Sequence, residues 1–459
     1  MAWALSDAEQ TKLVEFLGAD YTTWLKDKDP KTAQNALEYI SQKISSSEGK
    51  TPKDHKWVDS GTFAMNLAAW AKTNLKATAQ VASGTEYRAA EGYYLFLTDP
   101  SSLTGSTLAT LPIWLPLGGS VTTIQEKVAP VSVTKQVKEG NAWKAYADAE
   151  INEGVDYRVQ VHMPANYNGF ATFSALIEDT LPAGMTLDKN SVKVFVGDEQ
   201  GTNVTSSFVN QSTDAKLSVK CANTKAIKDV VADSTLTVTY RASLTDSTKF
   251  KVGGKGNAST ATFTYSNDPQ AATTSSVTSD PIELYTFQAS LDKMDKVTKV
   301  ELAGAEFVVK NQEGKYLSTA NAWTADKNGA KKFVTNDQGA ITGIVGLDAG
   351  TYTFEETKAP TDYSLPANNS INVTVGATYS ADGMLTGLTC KVVSENATPD
   401  ATKAADAATG MVNFDVVNDK ELSLAVTGAA GVGLGGAAVL AIGLGWYLMR
   451  AHRKGNALD

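Results

Sequence analysis

The sequence predicts a mainly β protein. Tandem β-sandwich domains are preceded by a mixed α+β N-terminal domain and followed by one transmembrane helix. Three observations carry this prediction. From 128 to 420 the chain consists of short runs rich in Thr, Val and Ser, separated by turn residues, the pattern of antiparallel sandwiches. Residues 1–90 instead show helical spacing of apolar side chains. Near the C-terminus, 429–449 carries no charged residue. At roughly 100–200 residues per domain, a chain of 459 residues has room for two to four domains.

Composition narrows the function. Apolar residues make up 42% of the chain and charged residues 20%, so sizeable cores can form. The formal net charge of −9, from 41 basic and 50 acidic residues, argues against nucleic acid as a main partner. Two cysteines, Cys221 and Cys390, rule out a disulfide-dense scaffold and a multi-cysteine metal cluster. They fall in different predicted domains and are expected to be separate thiols. His55, His162 and His452 lie too far apart in sequence to suggest a His-based metal site, so neither cofactor nor metal is expected. No GxSxG elbow, HExxH or Cys–His pair at useful spacing supports an enzyme.

Taken in order, Ser6 and Glu9 form a capping box, followed by Leu13, Val14, Phe16 and Leu17 at rough helical spacing. Ala33, Leu37, Ile40 and Ile44 make one apolar face of a helix started by Asp29–Pro30. FAMNLAAWAKTNL reads as another helix. EGYYLFLTD (91–99), LPIWLPL (111–117) and SVTTIQEK (120–127) read as strands. Further strands are expected at 156–163, 190–197, 234–244, 259–267, 305–311, 350–357 and 411–419.

The two ends set the compartment. The 21 uncharged residues 429–449 would span about 31 Å as a helix, enough for a bilayer core. Trp446 and Tyr447 sit where aromatic rings favour the interface, and Arg450, His452, Arg453 and Lys454 place the tail in the cytoplasm. Everything ahead of Ala429 should then lie outside the cell. The opening MAWALSDAEQTKLVEF lacks the basic start, apolar stretch and cleavage site of an export signal. The N-terminal domain is therefore expected to be truncated at its start.

Two stretches of the β-rich region share a layout. One runs from VSVTKQV (131–137) to ATFTYSND (261–268), the other from ASLDKMDK (289–296) to VNFDVVND (412–419). Each has a Lys in an apolar first strand and an Asn at the end of a last strand. Lys135 and Asn267 are 132 residues apart, Lys293 and Asn418 125. First and last strands of a sandwich often pair, so each Lys can face its Asn. Between them lie Asp179, in ALIEDTLPAGM, and Glu356, in YTFEETKAP. Burial lowers an amine's pKa and makes it a nucleophile, while it raises a carboxyl's pKa and keeps it protonated. Attack on the carboxamide would release ammonia and leave a Lys–Asn amide. On spacing alone, a Lys that snorkels from a strand edge and an Asn that ends a strand account for the same residues.

LAGAEFVVKNQEGKYL (302–317), GTYTFEETKAPTDYSLP (350–366) and VNFDVVNDK (412–420) together resemble a Cna B-type domain of Gram-positive surface proteins. YTFEETKAP is similar to that family's E-box, with Glu356 in the place of its acid. The resemblance implies that Lys293 and Asn418 are isopeptide partners; Asp295 and Lys296 follow as in the family's Lys-x-Asp opening. Residues 131–269 resemble the middle domain of sortase-assembled backbone pilins through VTKQV, IEDTLPAGM and TYSNDP, which implies Lys135, Asp179 and Asn267 as a second set. The sandwiches are thereby expected to be immunoglobulin-like, of the Cna type. Residues 91–127 look like the end of such a pilin's N-terminal domain.

Four regions follow: an N-terminal pilin domain (1–127), an isopeptide-forming middle sandwich (128–283), a Cna B-type, SpaA-like sandwich (284–421), and a sorting signal, membrane helix and basic tail (422–459). Leu424, Ala425, Val426, Thr427 and Gly428 resemble the sortase signal Leu-Pro-x-Thr-Gly, with Ala425 where Pro is usual. The scissile bond would be Thr427–Gly428. Lys127, in IQEKVAP at the junction of the first two domains, is the expected acceptor, with Glu126 where the family commonly has Pro. The resemblance implies a shaft subunit of a covalent pilus, exported to the cell wall and held in the membrane before cleavage. Its partners would be sortase, other copies of itself, tip and base pilins, and peptidoglycan. The alternative is a monomeric wall-anchored adhesin that binds a host surface ligand.

Overall fold

The computed structural model describes residues 5–28, 33–48, 63–82, 84–104, 107–118, 123–124, 130–399 and 404–420. Among the described residues α-helices are confined to the N-terminal part, and from Ser132 onward the described chain is almost entirely strand, turn and short 3₁₀ helix. Asp7–Leu25 begins with the expected capping box: the Glu9 amide donates to Ser6 Oγ at 3.4 Å and the Ser6 amide to Glu9 Oε2 at 2.8 Å. It packs with Ala33–Glu48 and Phe63–Asn74 around Leu13, Leu17, Tyr21, Tyr39, Ile40 and Leu67. The buried face of the second helix is centred on Ala36, Ile40 and Ile44, with Leu37 at its margin; Asp29–Pro30 lies outside the described residues. Gly92–Phe96 and Ile113–Leu117 form a two-stranded antiparallel ribbon, whose Trp114 Nε1 donates to Ser41 Oγ at 3.3 Å. The strand expected at 120–127 falls mostly outside the described residues.

The middle region holds two facing sheets and a small third one of Asn257–Ser259, Ile282–Tyr285 and Tyr146–Asp148. Strands such as Gly154–His162 and Ala261–Ser266 bury alternate side chains, as a half-solvated sheet requires. One facing sheet has six strands in the order Ala142–Lys144, Ser132–Glu139, Gly154–His162, Thr235–Leu244, Met185–Val196, Thr202–Asn203. The other has five: Val209–Asn210, Lys216–Cys221, Ala175–Thr180, Ala261–Ser266, Thr274–Thr278. First and last strands do not pair here. The Lys135 strand, Ser132–Glu139, lies beside Gly154–His162, whereas Ala261–Ser266 belongs to the opposite sheet.

The C-terminal region is also two sheets. Phe287–Asp295 sits between Ala340–Leu347 and Met411–Asn418, and it pairs with the latter in parallel. First and last strands therefore do pair in this sandwich. The facing sheet runs from Trp323–Thr324 through Tyr316–Leu317, Glu306–Lys310, Gly350–Lys358 and Ser370–Tyr379 to Leu385–Val393. Cys221 and Cys390 are free thiols, one in each sandwich, and burial raises both.

Where the sandwiches meet, Tyr146 stacks on Tyr379 at 4.2 Å, and Tyr379 Oη and the Ala349 amide both donate to Asp148 Oδ2 at 3.1 Å. Glu139, Glu150 and Asp348 join Asp148 there, with Lys144 acting on Glu139 and Glu153 on Glu150 and Asp348. Burial, reinforced by neighbouring carboxylates, pushes Glu150 up to about 8, Asp148 to about 7 and Asp348 to about 6. These carboxyls stay protonated in the folded protein over a range where the unfolded chain, with pKa values of about 4, has released its protons. Their contribution is complete below about pH 4 and is lost as pH rises through about 6 to 8. The melting temperature should therefore fall by several degrees between about pH 5 and about pH 8.5, and Glu150→Gln should flatten that slope. Calorimetry across pH reads this directly; an unchanged slope in the variant would contradict it.

Candidate cross-linking sites

The C-terminal sandwich places three polar side chains in its core. Period-two alternation along Met411–Asn418 turns Val412, Phe414, Val416 and Asn418 inward. On the paired strand Lys293 is also inward, with 0% exposure. The parallel register sets Asp295 opposite Asn418 and Lys293 opposite Val416. From the facing sheet Glu356, 1% exposed, reaches across, and Asn418 Nδ2 donates to its Oε1 at 2.8 Å. Lys293 Nζ and Asn418 Oδ1 have no hydrogen-bond partner. Leaving a buried polar group unpaired costs about 1–3 kcal/mol, and more if it is charged. Both unpartnered atoms belong to side chains that share this core with the Glu356 carboxyl.

Electrostatics follow the geometry. Burial pulls Lys293 down to about 8, with Glu356 opposing. Burial raises Glu356, with Lys293 and the Asn418 hydrogen bond opposing. The adjacent Glu355 goes the other way. Burial pushes it up, but hydrogen bonds and charge from Lys310 and Lys327, each 2.7 Å away, overcome that and hold it below the usual value. Two consecutive glutamates thus have opposite protonation tendencies, because one faces a dry core and the other two ammonium groups.

The middle sandwich contains a different set. Lys135 Nζ lies 2.8 Å from Asp179 Oδ1 and 2.7 Å from Oδ2, both side chains fully buried, and also donates to Ser259 Oγ. Tyr240 Oη donates to Asp179 Oδ2, and Tyr240 stacks on Tyr157, whose ring lies 5.5 Å from Lys135 Nζ. Burial lowers the Lys135 pKa and Asp179 opposes the shift.

Asn267 is not part of this set, which corrects the expected triad. Asp179 pairs with Ala261, and Asn267 lies six residues further on, about 20 Å along an extended strand. Its carboxamide is engaged elsewhere: Nδ2 donates to Ser275 Oγ at 2.6 Å, and Oδ1 accepts from Thr273 Oγ1 at 2.7 Å. Its carbonyl accepts from the Ala109 amide at 2.8 Å, and the neighbouring Asp268 pairs with Lys72 at 2.7 Å. TYSNDP therefore seats the N-terminal region on the middle sandwich. Ser259 and Asn267 are both buried and an even number of positions apart, so periodicity could not have chosen between them; the register against Asp179 does. Ser259, Tyr240 and Glu355 escaped the sequence reading for that reason. Lys127 and the segment Leu424, Ala425, Val426, Thr427, Gly428 lie outside the described residues, as does 429–449. Among the described residues no helix is long and apolar enough to cross a membrane.

Residues 287–387 match the family described as SpaA, a prealbumin-like fold domain. Over 269 residues the chain is 25% identical to the trypsin-resistant surface T6 protein of Streptococcus pyogenes serotype M6, covering 55% of this chain and 46% of that protein. The chain thus spans about half the length of this curated relative. The T6 backbone pilin of serotype M6 Streptococcus pyogenes, a modular three-domain structure, aligns at TM-score 0.53 and 17% identity, over 80% of this chain and 91% of that one. The group B streptococcus pilus 2b backbone protein aligns at TM-score 0.46 and 24% identity, over 63% of this chain and 99% of that one. Residues 287–387 are thus a SpaA prealbumin-like domain, carried by a chain that is homologous to a streptococcal surface protein and has the fold of a backbone pilin.

Proposed function

We propose that this chain is the shaft subunit of a covalently polymerised cell-surface pilus, and that a Lys293–Asn418 bond closes its C-terminal sandwich. The observation that carries the reading is the buried set of Lys293, Glu356 and Asn418, with its unpartnered amine and its carboxyl on the carboxamide nitrogen. Neutral Lys293 attacks Asn418 Cγ. The Nζ–Cγ bond forms and the Cγ–Nδ2 bond breaks. Glu356, already hydrogen-bonded to Nδ2, protonates the leaving nitrogen and takes up the proton that Nζ sheds, and ammonia departs. This single turnover is the only chemistry required of the chain, which acts as a structural subunit and not as an enzyme.

The topology gives the bond a mechanical purpose. Tension entering at Phe287 runs along the first strand to Lys293, crosses to Asn418 and leaves the domain. The intervening chain carries no load. Both sandwiches are immunoglobulin-like in this reading, within the division 1–127, 128–283, 284–421 and 422–459. Sortase cleaves at Thr427–Gly428 and joins Thr427 to Lys127 of the next copy, or finally to peptidoglycan, with 429–449 holding the chain in the membrane until then. Tip and base pilins complete the fibre.

Wall extracts boiled in detergent should show a ladder of covalent multimers. Lys127→Arg keeps the charge but cannot supply a neutral amine, so it should abolish the ladder and leave folded, wall-anchored monomers. A single monomer band from the unaltered chain would favour the adhesin reading instead. Branched peptides joining Thr427 to another lysine would move the acceptor.

A further inference from the structure

We propose that the middle sandwich is not covalently closed: Lys135 remains a free amine, and Ser259 occupies the place from which a carboxamide would complete its cross-link. The two cores share two of three polar side chains and differ in the third. Each has a fully buried lysine on its first strand and a carboxyl group reaching across from the facing sheet. In the C-terminal core the third side chain is Asn418, and the lysine nitrogen has no partner. In the middle core the third side chain is Ser259, and the lysine nitrogen is held by Asp179 and Ser259 together.

A hydroxyl cannot replace a carboxamide in this chemistry, because it offers no acyl carbon for the amine to attack and no nitrogen to release. The two asparagines nearest in sequence to Ser259 are both committed elsewhere. Asn257 exchanges hydrogen bonds with the Lys251 backbone at 2.9 and 2.8 Å and donates to the Leu284 carbonyl at 3.1 Å. Asn267 is tied to Thr273 and Ser275 at the N-terminal junction. Lys135 instead has the surroundings of a satisfied ammonium: a bidentate carboxylate, a hydroxyl and a tyrosine ring. In a pilus shaft, this makes the middle sandwich the extensible segment beside a locked C-terminal one. That consequence rests on the proposed shaft function, whereas the chemistry of Lys135 does not.

Intact-mass measurement and peptide mapping of the purified chain test this. The unaltered chain should be lighter than its sequence by one ammonia, about 17 Da, with the joined peptides mapping to Lys293 and Asn418 and the Lys135 peptide unmodified. Ser259→Asn should lose a further ammonia, with Lys135 joined to the peptide carrying the introduced carboxamide. Peptides from the unaltered chain joining Lys135 to Asn267 or Asn257 would overturn the proposal, as would a loss of about 18 Da joining Lys135 to Asp179. So would a folded Ser259→Asn protein whose mass shows no additional loss. If that variant does not fold, the Lys135 peptide of the unaltered chain decides. Absence of the Lys293–Asn418 bond would overturn the C-terminal cross-link alone and leave Lys135 to be judged by its own peptide.

Discussion

Glu356→Ala should yield a chain about 17 Da heavier than expected from the substitution alone, because the ammonia stays on Asn418. The stability loss should be large. Lys293 and Asn418 are 125 positions apart, and by analogy with disulfides closing such a loop is worth about 4–5 kcal/mol. The variant also leaves Lys293 buried with neither a hydrogen-bond partner nor a counter-charge. The pH dependence provides a second signature. Lys293 is held down at about 8 with Glu356 present and lower without it, against about 10.4 unfolded. The folded state of the variant therefore binds fewer protons than the unfolded state across that interval. Its stability should fall as pH drops from about 10.4 through about 8. In the unaltered chain the amide nitrogen does not titrate, so this slope should be missing. Intact mass and thermal melts at several pH values check both points. An unshifted mass together with an unchanged melting temperature would remove Glu356 from the chemistry.

Asp179→Ala should destabilise the middle sandwich by about 3–5 kcal/mol, the usual cost of stranding one partner of a buried ion pair. For a domain of this size that is a drop of roughly 10 °C or more. Lys135→Met combined with Asp179→Leu should recover most of the loss, because well-packed apolar pairs replace buried ion pairs at little cost. Proteolysis of Asp179→Ala should cut the middle sandwich and spare the C-terminal one. If the single variant melts like the unaltered chain, the pair does not hold the middle core. If the double variant is no better than the single, the loss comes from packing and not from charge.

Much of this protein can be read along the chain. Alternation of apolar and polar residues in DYRVQVHM, GTYTFEET and MVNFDVVND names strands, because a sheet with one wet face buries every second side chain. The capping box at Ser6 and Glu9 is local for the same reason: its partners are three residues apart. Lys293, Glu356 and Asn418 were legible as a set because each lies in a distinctive motif, and the first and last strands that carry two of them do pair.

What the sequence determined by itself was therefore the strand content, the two sandwiches and the residue types that populate their cores. What only the tertiary structure decided was which polar residue meets which. Ser259 and Asn267 are eight positions apart and both buried, and either satisfies the alternation. Pairing of Ala261 with Asp179 brings Ser259 to Lys135 and carries Asn267 about 20 Å away. The same holds for Glu355 and Glu356, neighbours in sequence whose environments diverge because the strand turns one to Lys310 and Lys327 and the other into a dry core. Register and burial are properties of the packed sheets, and a period of two repeats identically at every step along a strand.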